Sequence, residues 1–209
     1  HALHLPHARL RRSGAAVIVS PFVQMLLICS TLFLILKAAI AWRSRLPPLR
    51  LAAFLLWPGM RPELFADRRT RDGAGPLARR GAVELAIGLA LIGSAALFRN
   101  HPLIATLLLL PGLSLALHFG LFNLVAAAWR RAGFDTGPLF RAPLAAKGLA
   151  EFWGRRWNLA FSEMTARLVY RPLRAHRATA TMASFLFSGL LHELAISLPV
   201  RALFGLPTL

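Results

Sequence analysis

Residues 178–200 read ATATMASFLFSGLLHELAISLPV, and this stretch decides the fold. It is apolar and small-residue rich over a length sufficient to cross the roughly 30 Å hydrocarbon core of a bilayer as a helix. Yet it carries His192 and Glu193 near its middle. An ionisable side chain at that depth costs about 2.5–3.5 kcal/mol on insertion scales and marks a functional position by default. Read as a helix, Thr181, Ser184, Ser188 and His192 fall three, four and four residues apart and form one polar stripe, while Phe185, Leu186, Leu190 and Leu194 lie elsewhere on the surface. A polar stripe in a bilayer faces protein or water. Small polar residues also pack helices together, but the histidine at the inner end of this stripe points to a polar cavity.

The rest of the chain agrees with a membrane setting. Of 209 residues, 56% are hydrophobic, too many for an ordinary soluble domain. Apolar runs over about 15–41, 81–98 and 103–129 predict three further spans, with Lys37 snorkelling near the end of the first and Pro111-Gly112 kinking or splitting the third. Leu51 to Trp57 is too short to span upright and predicts a re-entrant or interfacial piece. No sustained alternation argues for strands, so the expected class is all-α, a polytopic integral membrane protein. Residues 1–14 form a basic tail with Arg9, Arg11 and Arg12, and 15–209 the membrane-embedded domain. The tail mimics a signal peptide, but the run after it is too long for one. With a start at His1 and an end just after an apolar segment, the chain reads as a fragment of a longer membrane protein.

The net charge of +17 is almost all arginine; the lysines are Lys37 and Lys147. In a soluble protein this would suggest nucleic acid; beside membrane spans it orients the chain, and no nucleic-acid partner is expected. The loops 42–80 and 130–177 carry the arginines, the turn between spans two and three only Arg99, so both long loops are placed on the cytoplasmic side. Cys29, the single cysteine, excludes an internal disulfide and reads as a small buried hydrophobe. His1, His4 and His7 lie at a ragged end without rigid support, and no metal site is expected. Phosphate-loop, dinucleotide and paired-histidine zinc motifs are missing from the sequence.

A second constellation is Glu151-Phe152-Trp153-Gly154-Arg155-Arg156-Trp157-Asn158. Trp153 and Trp157 are one helical turn apart, as are Gly154 and Asn158. Tryptophans beside arginines are ordinary membrane-interface anchors, which leaves Asn158 unexplained. Arg155, Arg156, Arg171, Arg174 and Arg177 suit an anionic cofactor, and equally anionic lipid.

Together, Phe152 to Asn158 and Ser188 to Leu194 resemble the membrane-bound O-acyltransferase superfamily, and within it the wax synthase branch. The two motifs stand in the family's order and at a similar separation. Pro138-Leu139-Phe140 and Trp57-Pro58-Gly59-Met60 look like that branch too, and the similarity is strongest over 138–207. The resemblance implies a multi-helix fold with a tunnel, acyl-CoA entering as co-substrate from the cytoplasm and a lipophilic alcohol from the bilayer, with no permanently bound cofactor. It assigns His192 as the base and Asn158 as its polar partner; Trp153, Arg155, Arg156, Trp157 and Ser188, read from the same two motifs, are the expected substrate-binding residues. Family members continue with further spans beyond the histidine helix, so a fragment ending here is expected to lack part of the tunnel. Other acceptors (a sterol, a diacylglycerol, a polysaccharide) use the same chemistry. A transporter or proton relay built on His118, His192 and Glu193, and a non-catalytic scaffold, are the readings from other classes.

Overall fold

The computed structural model describes residues 20–68 and 72–201. The expected basic tail over 1–14, with its histidine cluster, lies outside the described residues. Among those described no strand occurs, and four helices are long and apolar enough to cross a membrane: Pro21–Ala41, Ala74–Leu97, Pro102–Arg131 and Arg177–Val200.

Helix α1 (Pro21–Ala41) starts on Ser20, whose Oγ accepts the Val23 amide at 3.3 Å, with Pro21 preset for the first turn. Many of its large side chains, Phe22, Leu26, Leu27, Leu34 and Ile35 among them, face outward. So does Cys29, contrary to the expectation of burial: it sits on the surface of α1, where a lipid-facing thiol behaves as one more small apolar group. Lys37 departs from the sequence reading in the opposite direction. It does not snorkel; it is fully buried. Helix α2 (Pro48–Leu56) and the turn after it fold back over the end of α1. The Lys37 ammonium donates to the carbonyl of Trp57 at 2.5 Å and to that of Gly59, 3.7 Å from the centroid of the Phe54 ring. Two carbonyls and a cation–π contact replace the water a snorkelling lysine would seek.

Helix α3 (Ala74–Leu97) begins seven residues before the predicted span, because Arg79 and Arg80, which read as loop, are absorbed into its first turns: Arg80 pairs with Glu84 at 2.9 Å. Its buried positions are Ala74, Gly81, Gly88 and Ala95, a small residue every seventh place. Of these, Gly81 and Gly88 meet Gly112, Ala116 and Gly120 of the antiparallel partner, formed by α4 (Pro102–Ser114), a π-turn (Leu115–Leu121) and α5 (Phe122–Arg131). A Cβ on Gly88 would stand 2.4 Å from the Ala116 amide nitrogen, and one on Gly120 would stand 2.7 Å from Leu85 Cα. The two backbones are in direct contact, which is how membrane helices gain packing when lipid is as apolar as leucine. Asn123 Nδ2 donates to Glu84 at 2.9 Å and fixes the register. Pro111 neither splits the helix nor stops it: the missing amide is followed one turn later by the π-turn, which carries the chain on to Arg131.

The aromatic core lies at the loop end of these helices. Phe54, Trp57, Phe65, Phe134 and Phe140 are buried there, with Phe65 4.6 Å from Phe134 and 6.0 Å from Phe54 between ring centroids. Each such side chain contributes roughly 1.5–3 kcal/mol by burial. Gly133, with φ 98°, ends α5 in the left-handed cap that favours glycine, and buried Thr136 donates from Oγ1 to the Ala126 carbonyl at 2.8 Å. This loop leads into short α6 (Leu149–Glu151), α7 (Leu159–Thr165), the long α8 (Arg177–His192) and, after a π-turn over Glu193–Ser197, α9 (Leu198–Val200).

Candidate functional site

Asn158 stands at the entry to α7. Two backbone hydrogen bonds bracket it: the Arg141 amide donates to the Arg156 carbonyl at 2.8 Å, and the Leu159 amide to the Leu139 carbonyl at 2.9 Å. The helical stretch of the Trp/Arg motif ends one residue earlier, where Trp157 turns extended (φ −98°, ψ 129°), and Asn158 itself is left-handed at φ 42°, ψ 64°. The helical spacing read from sequence therefore fails between Gly154 and Asn158. Asparagine tolerates this conformation better than other residues with a Cβ. Its Oδ1 accepts the Phe161 amide at 3.2 Å and so caps α7. With the oxygen engaged, the Nδ2 amide group remains to donate outward from a half-buried side chain.

His192 is the last residue of α8, and its Nδ1 lies 2.7 Å from the Ser188 carbonyl one turn back. A carbonyl only accepts, so Nδ1 carries a proton, and in the neutral ring the lone pair is then on Nε2. That is the tautomer a general base needs, held by the chain itself. The Phe161 ring centroid is 6.3 Å from that of His192, and Phe161 is the residue whose amide Asn158 caps. One residue of α7 thus joins the two candidate side chains. His192 is exposed on the described surface, and Ser184 and Ser188 are half-buried. The polar stripe lines neither of the two cavities described below. Ser184 Oγ is turned back onto the Ala180 carbonyl at 2.7 Å. Ser188 reaches the site through its carbonyl, holding the histidine ring.

The remaining motif residues divide between structure and surface. Trp157 is half-buried, stacked on Phe152 (5.6 Å, 11°) and edge-on to Phe140 at 5.0 Å. Trp153 is half-exposed and Arg155 exposed. The Arg156 fork is spent on the Glu151 carboxylate at 2.7–2.8 Å and on the carbonyls of Arg141 and Ala142 at 3.3 and 3.2 Å, so it locks the Asn158 loop. Glu151 is held below the usual carboxylate range, first by the Lys147 amide and then by Arg156. Ser162 Oγ donates to the Trp153 carbonyl at 2.5 Å and ties the motif to α7.

Two cavities of about 370 and 380 Å³ flank α7. Trp57, Arg61, Thr136, Arg141, Leu159 and Glu163 are among the residues lining the first, and Glu63, Ser162, Glu163, Arg167 and Arg171 line much of the second. Glu163 belongs to both; burial pushes its carboxyl up, against the opposing influence of Arg61. Arg167 grips Glu63 with both terminal nitrogens at 2.8 and 2.9 Å. Of the five arginines singled out from sequence, Arg171 reaches a cavity; Arg61, Arg141 and Arg167 do so without having been singled out, since their common site depends on contacts up to about a hundred residues apart. His118, the other intramembrane histidine, belongs to the aromatic cluster beside the site: its ring is 4.6 Å from Phe140 and 6.1 Å from Trp157, with Nδ1 3.3 Å from Ser114 Oγ. Among the described residues no group of three or more His, Cys, Asp or Glu side chains is placed to hold a metal.

Comparison with known sequences falls on this region. Residues 136–202, containing both motifs, match the Membrane bound O-acyl transferase family. The chain is 41% identical over 70 residues to "Probable long-chain-alcohol O-fatty-acyltransferase 6" of Arabidopsis thaliana, covering 30% of this chain and 20% of that protein. It is 38% identical over 80 residues to "Long-chain-alcohol O-fatty-acyltransferase" of Simmondsia chinensis, covering 34% and 23%. The matched stretch thus spans about a fifth of the length of these curated relatives. No solved structure matches the chain. The segment that builds the Asn158 loop and the His192 helix is thus the part of the chain that is similar to the Membrane bound O-acyl transferase family and to these long-chain-alcohol O-fatty-acyltransferases.

Proposed function

We propose that this chain carries the reaction centre of a membrane-bound O-acyltransferase that moves a fatty acyl group from acyl-CoA to the hydroxyl of a long-chain alcohol, forming a wax ester. The observation that carries the proposal is the 2.7 Å contact from His192 Nδ1 to the Ser188 carbonyl, which leaves Nε2 free to accept a proton. The acceptor oxygen attacks the thioester carbonyl as its proton passes to Nε2. The tetrahedral intermediate then expels the thiolate, which takes the proton back, leaving ester and free CoA. Base assistance supplies about 10²–10⁴-fold. Asn158 Nδ2 donates to the oxygen that gains charge, or positions the acceptor hydroxyl. Holding both substrates in place contributes up to roughly 7–11 kcal/mol in well-oriented systems. In this scheme no acyl-enzyme forms, and neither metal nor resident cofactor is invoked.

The arginine-rich cavities beside α7 are where the phosphates of acyl-CoA would dock, with Arg61, Arg141 and Arg171 as their partners. This suits the proposed orientation, with 42–80 and 130–177 cytoplasmic. Gly73, preceding α3, and Arg130, near the end of α5, line one cavity, so the two long loops meet at one end of the hairpin. The test is the full-length protein in membranes, given labelled acyl-CoA and a panel of acceptors: long-chain alcohols, a sterol, a diacylglycerol. The proposal expects labelled wax ester as the main product. Label in another ester reassigns the acceptor, and label in no ester removes the proposal.

A further inference from the structure

Outside the four spans, α2 exposes Leu49, Leu55 and Leu56, and a second segment also exposes large apolar side chains that neither the aromatic core nor a transmembrane helix explains. Between Arg141 and Arg156 the chain makes a 3₁₀ turn over Pro143–Ala145, then α6 and the π-turn Phe152–Arg156. Leu144 is 100% exposed, Leu149 77% and Trp153 50%. Leu149 and Trp153, four residues apart in one helical stretch, share a face. Lys147 and Arg155 are exposed among them. The one acid in this segment, Glu151, is consumed from within by the Lys147 amide at 2.9 Å and by Arg156. The exposed face therefore shows apolar side chains rimmed by cations, with Glu151, engaged chiefly by the Lys147 amide and Arg156, as the segment's one carboxylate.

We infer that residues 142–155 form an in-plane anchor: Leu144, Leu149 and Trp153 enter the headgroup–acyl boundary of the leaflet next to this loop, and Lys147 and Arg155 bind the phosphates of its anionic lipids. The chemistry fits that occupant. Leucine and tryptophan on one side of a short helical element, with cations at the rim, match an anionic bilayer surface, whereas an acidic protein partner would leave Leu144 and Leu149 in water. The spans already hold the loop at the membrane, so the anchor needs little affinity of its own; its role is depth. Arg156 and the two backbone bonds around Asn158 make the segment rigid with the α7 entry. Seating Leu144 and Trp153 sets Asn158 just below the headgroups, where an amphiphilic acceptor presents its hydroxyl.

The test is independent of catalysis. The full-length protein carries Leu144→Cys labelled with NBD, in a background whose other cysteines are serine, in nanodiscs of phosphatidylcholine with or without 30% phosphatidylglycerol (about that fraction, a typical anionic surface). The inference expects a blue-shifted label, quenched by shallow doxyl lipid and little by iodide. It also expects lipid quenching to fall at least about twofold when phosphatidylglycerol is omitted or when Lys147 and Arg155 are both replaced by serine. Iodide quenching as complete as for free NBD-cysteine would overturn it. So would a label shielded from both quenchers, since protein rather than lipid would then cover the face. Lipid quenching indifferent to phosphatidylglycerol and to both replacements would overturn the assignment of anionic lipid.

Discussion

Replacing Asn158 by aspartate separates the two jobs proposed for one side chain. Asn158 Oδ1 caps α7 through the Phe161 amide at 3.2 Å, and its left-handed backbone at φ 42° is one that short polar residues tolerate. Aspartate keeps the acceptor oxygen, tolerates the same conformation and adds a negative charge at a helix N-terminus, so Asn158→Asp should fold as well as the wild type or be stabilised by up to about 1 kcal/mol. It loses both Nδ2 protons and puts a carboxylate where negative charge must develop. Removing one such donor costs roughly 10²–10³ in kcat, about 2.7–4 kcal/mol. Asn158→Ala behaves differently: loss of the cap costs about 1 kcal/mol and a Cβ in the left-handed region about 1–2 kcal/mol, so it should be destabilised by about 2–3 kcal/mol as well as inactive. The assay is ester formation by the full-length protein in membranes, normalised to folded protein from a thermal melt. An Asn158→Asp enzyme within threefold of wild-type kcat (about 0.65 kcal/mol) would refute the donor role. An Asn158→Ala protein that melts like the wild type would refute the cap.

Further outcomes follow from the packing and the charges. Gly88→Ala forces apart two backbones that leave a Cβ 2.4 Å from the Ala116 nitrogen and should cost about 1–3 kcal/mol, whereas Gly93→Ala, with open space around it, should be neutral or stabilise by up to about 1 kcal/mol; thermal unfolding in detergent compares them. Lys37→Met leaves the Trp57 and Gly59 carbonyls without their donor and should lower stability by about 1–3 kcal/mol in the same measurement, the relief of burying an ammonium group offsetting part. The Glu63 carboxyl is held below its ordinary value, chiefly by hydrogen bonding to Arg167. Its contribution is whole above the unfolded value of about 4.3 and fades as pH falls through the lower folded value. Glu63→Gln should therefore remove a pH dependence of proteolytic protection of the 61–68 and 159–170 segments below about pH 4.3, and leave less protection than wild type above it.

Sequence and structure agree where the physics is local and part where it is not. The spans are legible because a bilayer demands long apolar runs, and the two motifs are legible as unusual residues in or beside them. The start of α3 is misplaced because Arg79 and Arg80 look like loop until the Arg80–Glu84 pair is seen. The burial of Lys37 depends on carbonyls some twenty residues away, which no local pattern reveals. At the site, the residue types are readable but their division of labour is not. Helical spacing hides the turn at Trp157 and Asn158. Arg156 and Arg155 are indistinguishable in sequence, yet one is spent on Glu151 and two carbonyls while the other is exposed. Ser188 reads as a side chain lining a cavity, but it acts through its carbonyl.

The central claim is that His192, with its tautomer set by Ser188, is the base that activates the acceptor hydroxyl. The most direct test is kcat for acyl transfer by full-length His192→Ala at saturating acyl-CoA and alcohol, with membrane insertion verified. A fall of about 10²–10⁴-fold with little change in KM is expected. A correctly inserted variant that turns over at near wild-type rate would contradict it.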